Sequence, residues 1–283
     1  MISIIITTYN SPLFLKLVLQ SLALQSDKNF EVIVADDGSS KDTKDLIEEM
    51  SLRLPYSIEH VWQEDKGFRA AKIRNQAVAC AKGEYLIFLD GDCLVLKNFI
   101  SRHKKLAERR WFVAANRALL SVKATQEFLL LKDLPKLDFL RIFILWIQGK
   151  INRLLPFIFL PFNLGRKKNK NNWRGAKTCN LGIWKDDFIA VNGFDENFTG
   201  WGYEDSDLVV RLIRCGVLHK SGRFAIPVIH LWHVENSRNQ EAANLQQLQK
   251  TINSNVVRVV KGVDQYLNIC HPSAESEGER RND

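Results

Sequence analysis

Short apolar runs alternate with segments of helical periodicity over the first 115 residues. The apolar runs have strand length and give the predicted strands Ile2–Thr8, Phe30–Ala35, Ser57–Trp62 and Tyr85–Leu89. Between them, apolar side chains recur at helical spacing, as in Leu13–Leu24 and the alanine-rich segment Arg69–Ala81. Strands separated by such helices predict an α/β fold, with parallel βαβ units in a Rossmann-like open mixed sheet flanked by helices.

The pattern changes three times after this first part, 1–115. Residues 116–173 are apolar and aromatic but interrupted by cations, which predicts a helical insertion. Compact α/β patterning returns over 174–235. Apolar residues at helical spacing then predict one amphipathic helix within 236–271, and the polar segment 272–283 is expected to be a flexible tail.

Positive charge is concentrated in one part of the chain. The whole chain carries +8, yet residues 139–185 contain ten Lys or Arg and no Asp or Glu. That stretch is therefore +10, and the rest of the chain, at +8 minus +10, carries −2. Aromatic and leucine-rich segments flanked by cations are typical of elements at an anionic membrane surface. Burial of these apolar residues inside the fold or in a dimer is the alternative.

Other features of the composition exclude several classes of protein. Five cysteines, odd in number and without a C-x-x-C pair, argue against a disulfide scaffold or a zinc ribbon and favour a reducing cytosol. The first residues, MISIIITTYN, have no basic segment before their apolar run, which favours a buried strand over a signal peptide. No uncharged apolar stretch approaches the roughly 18 residues of a spanning helix.

Two aspartates follow the fourth predicted strand, in the sequence Asp90-Gly91-Asp92. The glycine permits a tight turn and places two carboxylates at the end of a buried strand, where ligands of open α/β sheets bind. Hard oxygen ligands in this position suit Mg²⁺ or Mn²⁺ bridging a diphosphate. A solvated surface turn is the alternative.

A second acidic pair, Asp36 and Asp37, lies at the end of the second predicted strand. Two adjacent acids can accept hydrogen bonds from a base N–H and a ribose hydroxyl. Thr7 and Tyr9 end the neighbouring strand and could frame the same groups. For one of the two acids, an Asx turn that caps the following helix explains the sequence equally well.

The helix predicted after Gly67 begins with three cations, Arg69, Lys72 and Arg74. Cations near a helix N-terminus suit a diphosphate, because the terminus itself also attracts anions. A solvated basic helix face is the alternative, above all for Lys72.

The stretch from Trp201 to Asp207 combines aromatic and acidic side chains, including Tyr203, Glu204 and Asp205. Aromatic faces beside carboxylates predict a sugar-binding platform with a general base, whose pKa would rise if apolar groups surrounded it. The same acids could cap the helix that follows, and the two roles are compatible.

Two histidines, His230 and His233, follow a predicted strand at Phe224–Ile229. Their spacing would suit one face of a helix, but the strand and loop context favours a single ligand. Because an aspartate pair already suits a metal, we expect one histidine to complete its coordination.

These motifs, in this order, resemble those of inverting family 2 glycosyltransferases with a GT-A fold. The resemblance covers roughly residues 1–115 and 174–235. Its carriers are IIITTYN, VIVADDGSSKDT, GFRAAKIRN, YLIFLDGDC and NGFDENFTGWGYEDSDLVVRLIRCG. The last block also resembles the C-terminal galactosyltransferase-type module of β4-galactosyltransferases and of bacterial lipopolysaccharide-core and chondroitin-polymerase-like enzymes. The segment between Ala124 and Lys177 matches no motif of the family.

The resemblance implies that 1–115 is the nucleotide-sugar-binding half. The residues implied to hold the nucleotide, most often UDP, are Thr7, Tyr9, Asp36, Asp37, Arg74, Asn75 and Asp90. Asp90 would meet the ribose or the metal. Asp92 would bind the divalent ion, Mn²⁺ or Mg²⁺, and His233 matches a further metal ligand better than His230 does.

The resemblance also implies that 174–235 is the acceptor and catalytic half. Asp205 would be the general base that takes the proton of the acceptor hydroxyl, with Glu204 as the alternative. Trp201, Gly202 and Asn180 would line the acceptor site. Attack on the face opposite the diphosphate would then invert the anomeric carbon in one displacement.

The resulting prediction is an inverting glycosyltransferase of the hexosyltransferase class. It would transfer a hexose or N-acetylhexosamine from a UDP-sugar to a glycan or lipid-linked acceptor in bacterial lipopolysaccharide or surface polysaccharide synthesis. We expect a cytoplasmic protein, peripheral on the inner face of the plasma membrane, that contacts anionic lipid through 139–185.

Two other classes of function remain open. A metal-dependent nucleotidyl or phosphoryl transferase would be expected to carry a glycine-rich phosphate loop, but Tyr9-Asn10-Ser11-Pro12 follows the first strand instead. A non-catalytic nucleic-acid-binding protein could use the basic patch 166–177, yet the chain contains no RNA- or DNA-binding motif. We therefore expect no nucleic acid partner.

Overall fold

The computed structural model describes residues 1–162, 165–235 and 237–270. The strands are β1 (Ile2–Thr8), β2 (Phe30–Asp36), β3 (Ile58–Trp62), β4 (Tyr85–Asp90), β5 (Cys93–Val95), β6 (Trp111–Ala114), β7 (Arg117–Leu119), β8 (Asn180–Trp184), β9 (Leu218–Ser221) and β10 (Val228–His230). The helices are α1 (Pro12–Ala23), α2 (Lys41–Arg53), α3 (Ala70–Cys80), α4 (Phe99–Leu106), α5 (Val122–Leu129), α6 (Phe139–Ile147), α7 (Lys185–Ala190), α8 (Glu204–Arg214), α9 (Glu241–Asn253) and α10 (Asp264–Cys270). A 3₁₀ turn spans Leu155–Phe157.

A seven-stranded mixed sheet in the order β3-β2-β1-β4-β8-β6-β9 forms the centre of the fold. Strands β1 to β4 are parallel, and β8 runs antiparallel to both β4 and β6. β1, β2 and β4 are buried almost throughout, which explains why each is a continuous apolar run rather than an alternating one. The predicted α/β fold with an open mixed sheet is confirmed.

The register of the parallel strands brings distant polar residues to one edge of the sheet. Thr8 pairs with Asp36, and Thr7 pairs with Asp90. On the far side of β4, Leu89 pairs with Asn180, so the antiparallel strand β8 begins at this same edge. The carboxyl ends of β1, β2 and β4 therefore meet where the sequence placed its candidate site.

A second, three-stranded sheet in the order β5-β10-β7 lies beside this edge. His230 pairs with Cys93 on one side and with Leu119 on the other. The strand predicted at Phe224–Ile229 is wrong in its first part, because Phe224 has a φ of +58° and only Val228–His230 pairs as a strand.

The insertion 116–173 is partly packed into the main core. Phe128, Ile142, Leu145 and Phe157 belong to the same buried cluster as the side chains of β1 and β4. Helix α6 nevertheless buries only Ile142 and Leu145. Its other apolar side chains are exposed, namely Phe139, Leu140, Phe143, Ile144, Trp146 and Ile147.

The single amphipathic helix predicted for 236–271 is wrong, because two helices, α9 and α10, are separated by an irregular segment. Two features explain the interruption. The segment is rich in β-branched valine, which disfavours helix, and its backbone packs closely on Asn192. The Asn192 Nδ2 donates to the Val259 carbonyl (2.9 Å), and a Cβ on Gly262 would lie only 1.8 Å from the Asn192 carbonyl oxygen. The tail predicted at 272–283 lies outside the described residues.

Two observations concern the cellular setting. Among the residues that the structure describes, no helix has both the length and the apolar character needed to cross a membrane. Cys93, Cys179 and Cys215 are free thiols. Cys80 is disulfide-bonded.

Candidate active site

Arg74, on α3, connects three elements at the sheet edge. Its Nε donates to Thr7 Oγ1 (2.8 Å), its Nη1 donates to Glu204 Oε1 (3.0 Å), and its Nη2 lies 3.6 Å from Asp90 Oδ1. The residue is only 4% exposed. Because a buried guanidinium is costly unless it is paired, these contacts hold the ends of β1 and β4 against the start of α8. The expected contact of Arg74 with the nucleotide stays a prediction.

Asp90 and Asp92 occupy opposite ends of the turn between β4 and β5. Burial and the nearby Asp92 charge raise the pKa of Asp90 to about 6, although Arg74 opposes the shift. Burial also acts to raise the pKa of Asp92, but the hydrogen bond from His233 and the proximity of His230 outweigh it and lower that pKa. Asp92 is therefore the more strongly anionic of the two carboxylates.

Asp92, His230 and His233 form a cluster whose ligand atoms all lie within 4.8 Å of one another. Asp92 Oδ2 is 3.0 Å from His233 Nε2 and 3.5 Å from His230 Nε2. The sequence analysis expected a single histidine ligand, whereas the pairing of β10 with β5 brings His230 to the same carboxylate and makes it a second candidate.

The donor set of this cluster fits a divalent transition metal. One carboxylate and two imidazoles suit Mn²⁺ better than Mg²⁺, which prefers oxygen ligands alone. Burial lowers the pKa of His230 to about 4, so its imidazole is neutral and able to bind a metal. The hydrogen bond to Asp92 raises the pKa of His233 to about 9, so a metal ion would displace a proton from that ring.

Glu204 and Asp205 begin α8 and have different partners. Glu204 is buried and ion-paired with Arg74. Asp205 is half-buried and accepts a hydrogen bond from the Ser206 backbone N–H (2.7 Å), and it forms no ion pair with any described residue. Burial and the neighbouring Glu204 charge raise the pKa of Asp205 to about 7. Asp205 is the carboxylate that can gain and lose a proton near neutral pH.

The residues before α8 have an unusual backbone. Tyr203 caps the helix with a φ of +72°, a left-handed conformation that is rare for an aromatic residue and is concentrated at functional sites. Gly202 has a φ of +109°, and open space surrounds the position of a Cβ on it. The Arg238 guanidinium lies over the half-buried Trp201 ring, 4.8 Å from its centroid. A surface of this kind is compatible with a sugar ring.

Asp36 and Asp37 differ in their surroundings although they are adjacent. Asp36 is fully buried, accepts a hydrogen bond from the Ser39 N–H (2.8 Å) and lies 2.9 Å from His60 Nε2. Asp36 thus holds the turn that precedes α2, and its expected contact with a nucleotide stays a prediction. Asp37 is also buried, and its Oδ2 accepts from the Arg69 N–H (2.7 Å), which holds the loop that leads into α3.

Two asparagines of the predicted site are buried and join separate segments of the chain. Asn75 is fully buried and exchanges hydrogen bonds with the Phe194 backbone in both directions. Asn180 is fully buried between the Ile226 carbonyl (2.5 Å) and His103 Nε2 (3.2 Å). Each amide thus has a structural role, and the ligand contacts that the resemblance implies for them stay predictions.

Tyr9 is the exposed member of the predicted nucleotide set. Its side chain extends from the end of β1, is 49% exposed, and donates from its hydroxyl to Asp65 Oδ2 (2.8 Å). Thr7, two residues earlier in the chain, is half-buried and accepts a hydrogen bond from Arg74. Asp65 was missed by the sequence analysis, since it lies in the loop after β3, outside any motif.

Family models match most of the chain. The model described as glycosyl transferase family 2 matches residues 3–182. The model described as the N-terminal domain of galactosyltransferase matches residues 163–231, which include the segment of Trp201 to Asp207.

Curated proteins of similar sequence include a glucosyltransferase and a polysaccharide synthase. Validoxylamine A glucosyltransferase of Streptomyces hygroscopicus is 32% identical over 226 residues, which cover 77% of this chain and 52% of that protein. Chondroitin synthase of Escherichia coli is 26% identical over 238 residues, which cover 78% of this chain and 33% of that protein. The chain thus spans about half the length, or less, of these two curated relatives.

Solved structures share the fold. S. aureus TarS in complex with UDP has a TM-score of 0.60 at 16% identity, over 98% of this chain and 73% of that one. Mannosyltransferase PcManGT of Pyrobaculum calidifontis, in complex with GDP-Man and Mn²⁺, has a TM-score of 0.59 at 16% identity, over 95% of this chain and 68% of that one. At such identity these structures show the GT-A fold alone. With a family model covering residues 3–182, the chain belongs to glycosyl transferase family 2.

Proposed function

We propose that this protein is an inverting glycosyltransferase that transfers a hexose or N-acetylhexosamine from a UDP-sugar to a hydroxyl group of a glycan or lipid-linked acceptor. The observation that carries the proposal is that two chemically distinct groups lie at the same edge of the sheet. A cluster with the donor set of a metal site lies at the end of β4. The Asp205 carboxylate, which has a pKa of about 7 and no ion pair among the described residues, begins α8. Arg74 joins the two through Asp90 and Glu204.

The donor side of the site is assigned to the ends of β1 and β4. Tyr9 and Thr7 would contact the nucleoside, with Asp37 holding the adjoining loop and Asp90 facing the ribose or the metal. Asp92, His230 and His233 would hold Mn²⁺, which when bound would neutralise charge on the diphosphate leaving group. The UDP and the Mn²⁺ in the complexes of TarS and PcManGT support this assignment by analogy of fold.

Asp205 would act as the general base. As the acceptor oxygen attacks the anomeric carbon, its proton passes to the Asp205 carboxylate, the new carbon–oxygen bond forms, and the bond to the diphosphate breaks. Attack from the face opposite the diphosphate inverts the anomeric carbon. Glu204 is the alternative base, but its carboxylate is already engaged by the Arg74 guanidinium, 3.0 Å away.

The acceptor side is assigned to Trp201 and Gly202, whose half-buried surface lies directly before the proposed base. The apolar face of α6, flanked by cations such as Arg141 and Lys150, would rest on an anionic membrane and bring the site to lipid-linked acceptors. A role in bacterial lipopolysaccharide or surface polysaccharide synthesis, at the inner face of the plasma membrane, is consistent with this arrangement.

A donor screen tests the proposal. UDP release is measured from UDP-glucose, UDP-galactose, UDP-N-acetylglucosamine and UDP-N-acetylgalactosamine, with Mn²⁺ or Mg²⁺, with and without crude lipopolysaccharide acceptors. We expect turnover of at least one donor, dependent on the metal, higher with Mn²⁺ and stimulated by an acceptor. Failure of the protein to bind UDP and to release it from all four donors would contradict the proposed function.

A further inference from the structure

A cavity of about 450 Å³ lies between the insertion and the sheet edge, and it is strongly basic. Its walls contain no Asp or Glu. The cations that line it and form no ion pair within the described ranges are Arg117, Arg153, Lys168, Arg174, Lys177 and Arg223. Arg166 also lines the cavity but is different, since it is buried and donates to backbone carbonyls such as those of Leu160 and Ser221. The six unpaired cations are thus available to a ligand.

Strand register places this cavity beside the proposed metal cluster. Arg117 and Leu119 line it from β7, the strand that pairs with β10, and Leu119 pairs directly with His230. Lys177 and Cys179 line it from the segment that leads into β8, whose first residue pairs with Leu89, next to Asp90. A ligand in the cavity would therefore lie next to the sheet edge where transfer is proposed to occur.

The cavity is continuous with the insertion that carries α6. Two hydrogen bonds join Asn152 to Leu119, one from the Leu119 N–H to Asn152 Oδ1 (2.9 Å) and one from the Asn152 N–H to the Leu119 carbonyl (3.1 Å). Ile151 forms a bridge with Leu120. The chain that follows α6 is therefore fixed against β7, and Arg153 enters the cavity wall from this side.

We infer that this cavity binds a phosphate group of the acceptor, so that the acceptor class is a phosphorylated sugar or a sugar joined to a lipid through phosphate. The inference rests on the proposed function, because it names the acceptor of that same site. Several cations converging on one concave site repel one another unless an anion of high charge is bound, and arginine side chains match phosphate oxygens in pairs. A neutral glycan would leave that repulsion uncompensated.

The test is a calorimetric titration of the protein saturated with UDP and Mn²⁺, so that the donor site is already filled. Glucose 1-phosphate probes a sugar-borne phosphate and farnesyl phosphate a lipid-borne one, with glucose and farnesol as neutral counterparts. The variant Lys168→Gln/Lys177→Gln removes two cations of the cavity. Its control, Lys123→Gln/Lys250→Gln, removes two exposed lysines elsewhere, so both variants lose the same charge.

We expect at least one phosphate probe to bind more tightly than its neutral counterpart. We expect the cavity variant to bind that probe about tenfold more weakly and the control to bind it within about twofold of the wild type. The probe that binds identifies the source of the phosphate. If neither phosphate binds better than its counterpart, or if both variants lose binding equally, the inference is overturned. Loss of UDP binding itself would instead count against the proposed function.

Discussion

Glu204 and Asp205 are neighbours in sequence, yet the charges around them give them different chemistry. The Arg74 guanidinium lies 3.0 Å from Glu204, so that the negative charge of this carboxylate is balanced. Asp205 has no such partner in the part of the chain that the structure describes, and burial together with the Glu204 charge raises its pKa to about 7. A carboxylate with this pKa can accept a proton from an acceptor hydroxyl and release it to water in each cycle.

The substitution Asp205→Asn is expected to reduce sugar transfer by about 10²–10⁴-fold, the usual contribution of a general base, and to leave UDP binding unchanged. The measurement is turnover with the donor found in the screen, beside calorimetric UDP binding. Glu204→Gln is the comparison variant. If Glu204→Gln, and not Asp205→Asn, removes transfer with UDP binding intact, then Glu204 is the base.

The pH dependence of transfer follows from the same residue. Asp205 must be ionised to act as a base, and its pKa is raised to about 7, so activity should fall as the pH drops through 7 and level off above it. The measurement is kcat/KM between pH 5 and 9. The residual activity of Asp205→Asn should lack this limb. A wild-type profile that is flat from pH 5 to 8 would contradict the assignment.

At the scale of elements, helix α6 buries only two of its side chains. A surface helix normally directs its apolar side toward the core. Helix α6 instead directs two residues inward and leaves most of its apolar side chains exposed to solvent. Contiguous exposed apolar surface costs free energy in water and indicates a contact with another apolar phase. The excess of cations in 139–185 favours an anionic membrane as that phase.

We expect Leu140→Ser/Ile147→Ser to bind vesicles of phosphatidylcholine and phosphatidylglycerol about tenfold more weakly, because two exposed apolar side chains would no longer insert. The measurement is co-sedimentation at low salt. Leu52→Ser/Val260→Ser is the matched control, since both side chains are exposed on other surfaces. Equal vesicle binding by the α6 variant and the wild type would mean that α6 is not the membrane contact.

At the scale of the whole molecule, the proposed metal cluster exists only because two distant segments pair. Asp92 follows β4, whereas His230 and His233 lie about 140 residues later. The antiparallel pairing of β10 with β5 brings these segments together, with His230 opposite Cys93. The same small sheet places Arg117 and Leu119 at the wall of the basic cavity.

Removal of either imidazole should weaken Mn²⁺ binding. We expect His230→Ala and His233→Ala each to raise the Mn²⁺ concentration needed for UDP binding by about 10–100-fold, because each removes one of three ligands. The measurement is calorimetric UDP binding across a Mn²⁺ titration, with the metal-free protein as reference. If His230→Ala has the Mn²⁺ dependence of the wild type, the site has one histidine, as the sequence analysis expected.

The sequence was most informative about the position of polar residues that follow buried strands. Buried parallel strands are continuous apolar runs, so their ends, and the polar residues that follow them, could be located without a structure. Asp90 and Asp92 were found in this way, and so were Thr7 and Tyr9. The direction of an individual side chain was not predictable, because it depends on neighbours that are far away in sequence. The burial of Asp36, Asn75 and Asn180, for example, could not be predicted from the sequence.

The sequence by itself determined the first four strands with the helices between them, the edge of the sheet that carries polar chemistry and the family of the protein, because these depend on local periodicity and on motifs. Tertiary structure alone decided which groups meet there. The Arg74 ion pair distinguishes Glu204 from Asp205, and the pairing of β10 adds His230 to Asp92. It also gathers five of the ten cations of 139–185, together with Arg117 and Arg223, around one basic cavity, since charges far apart along the chain act together only when folding brings them close.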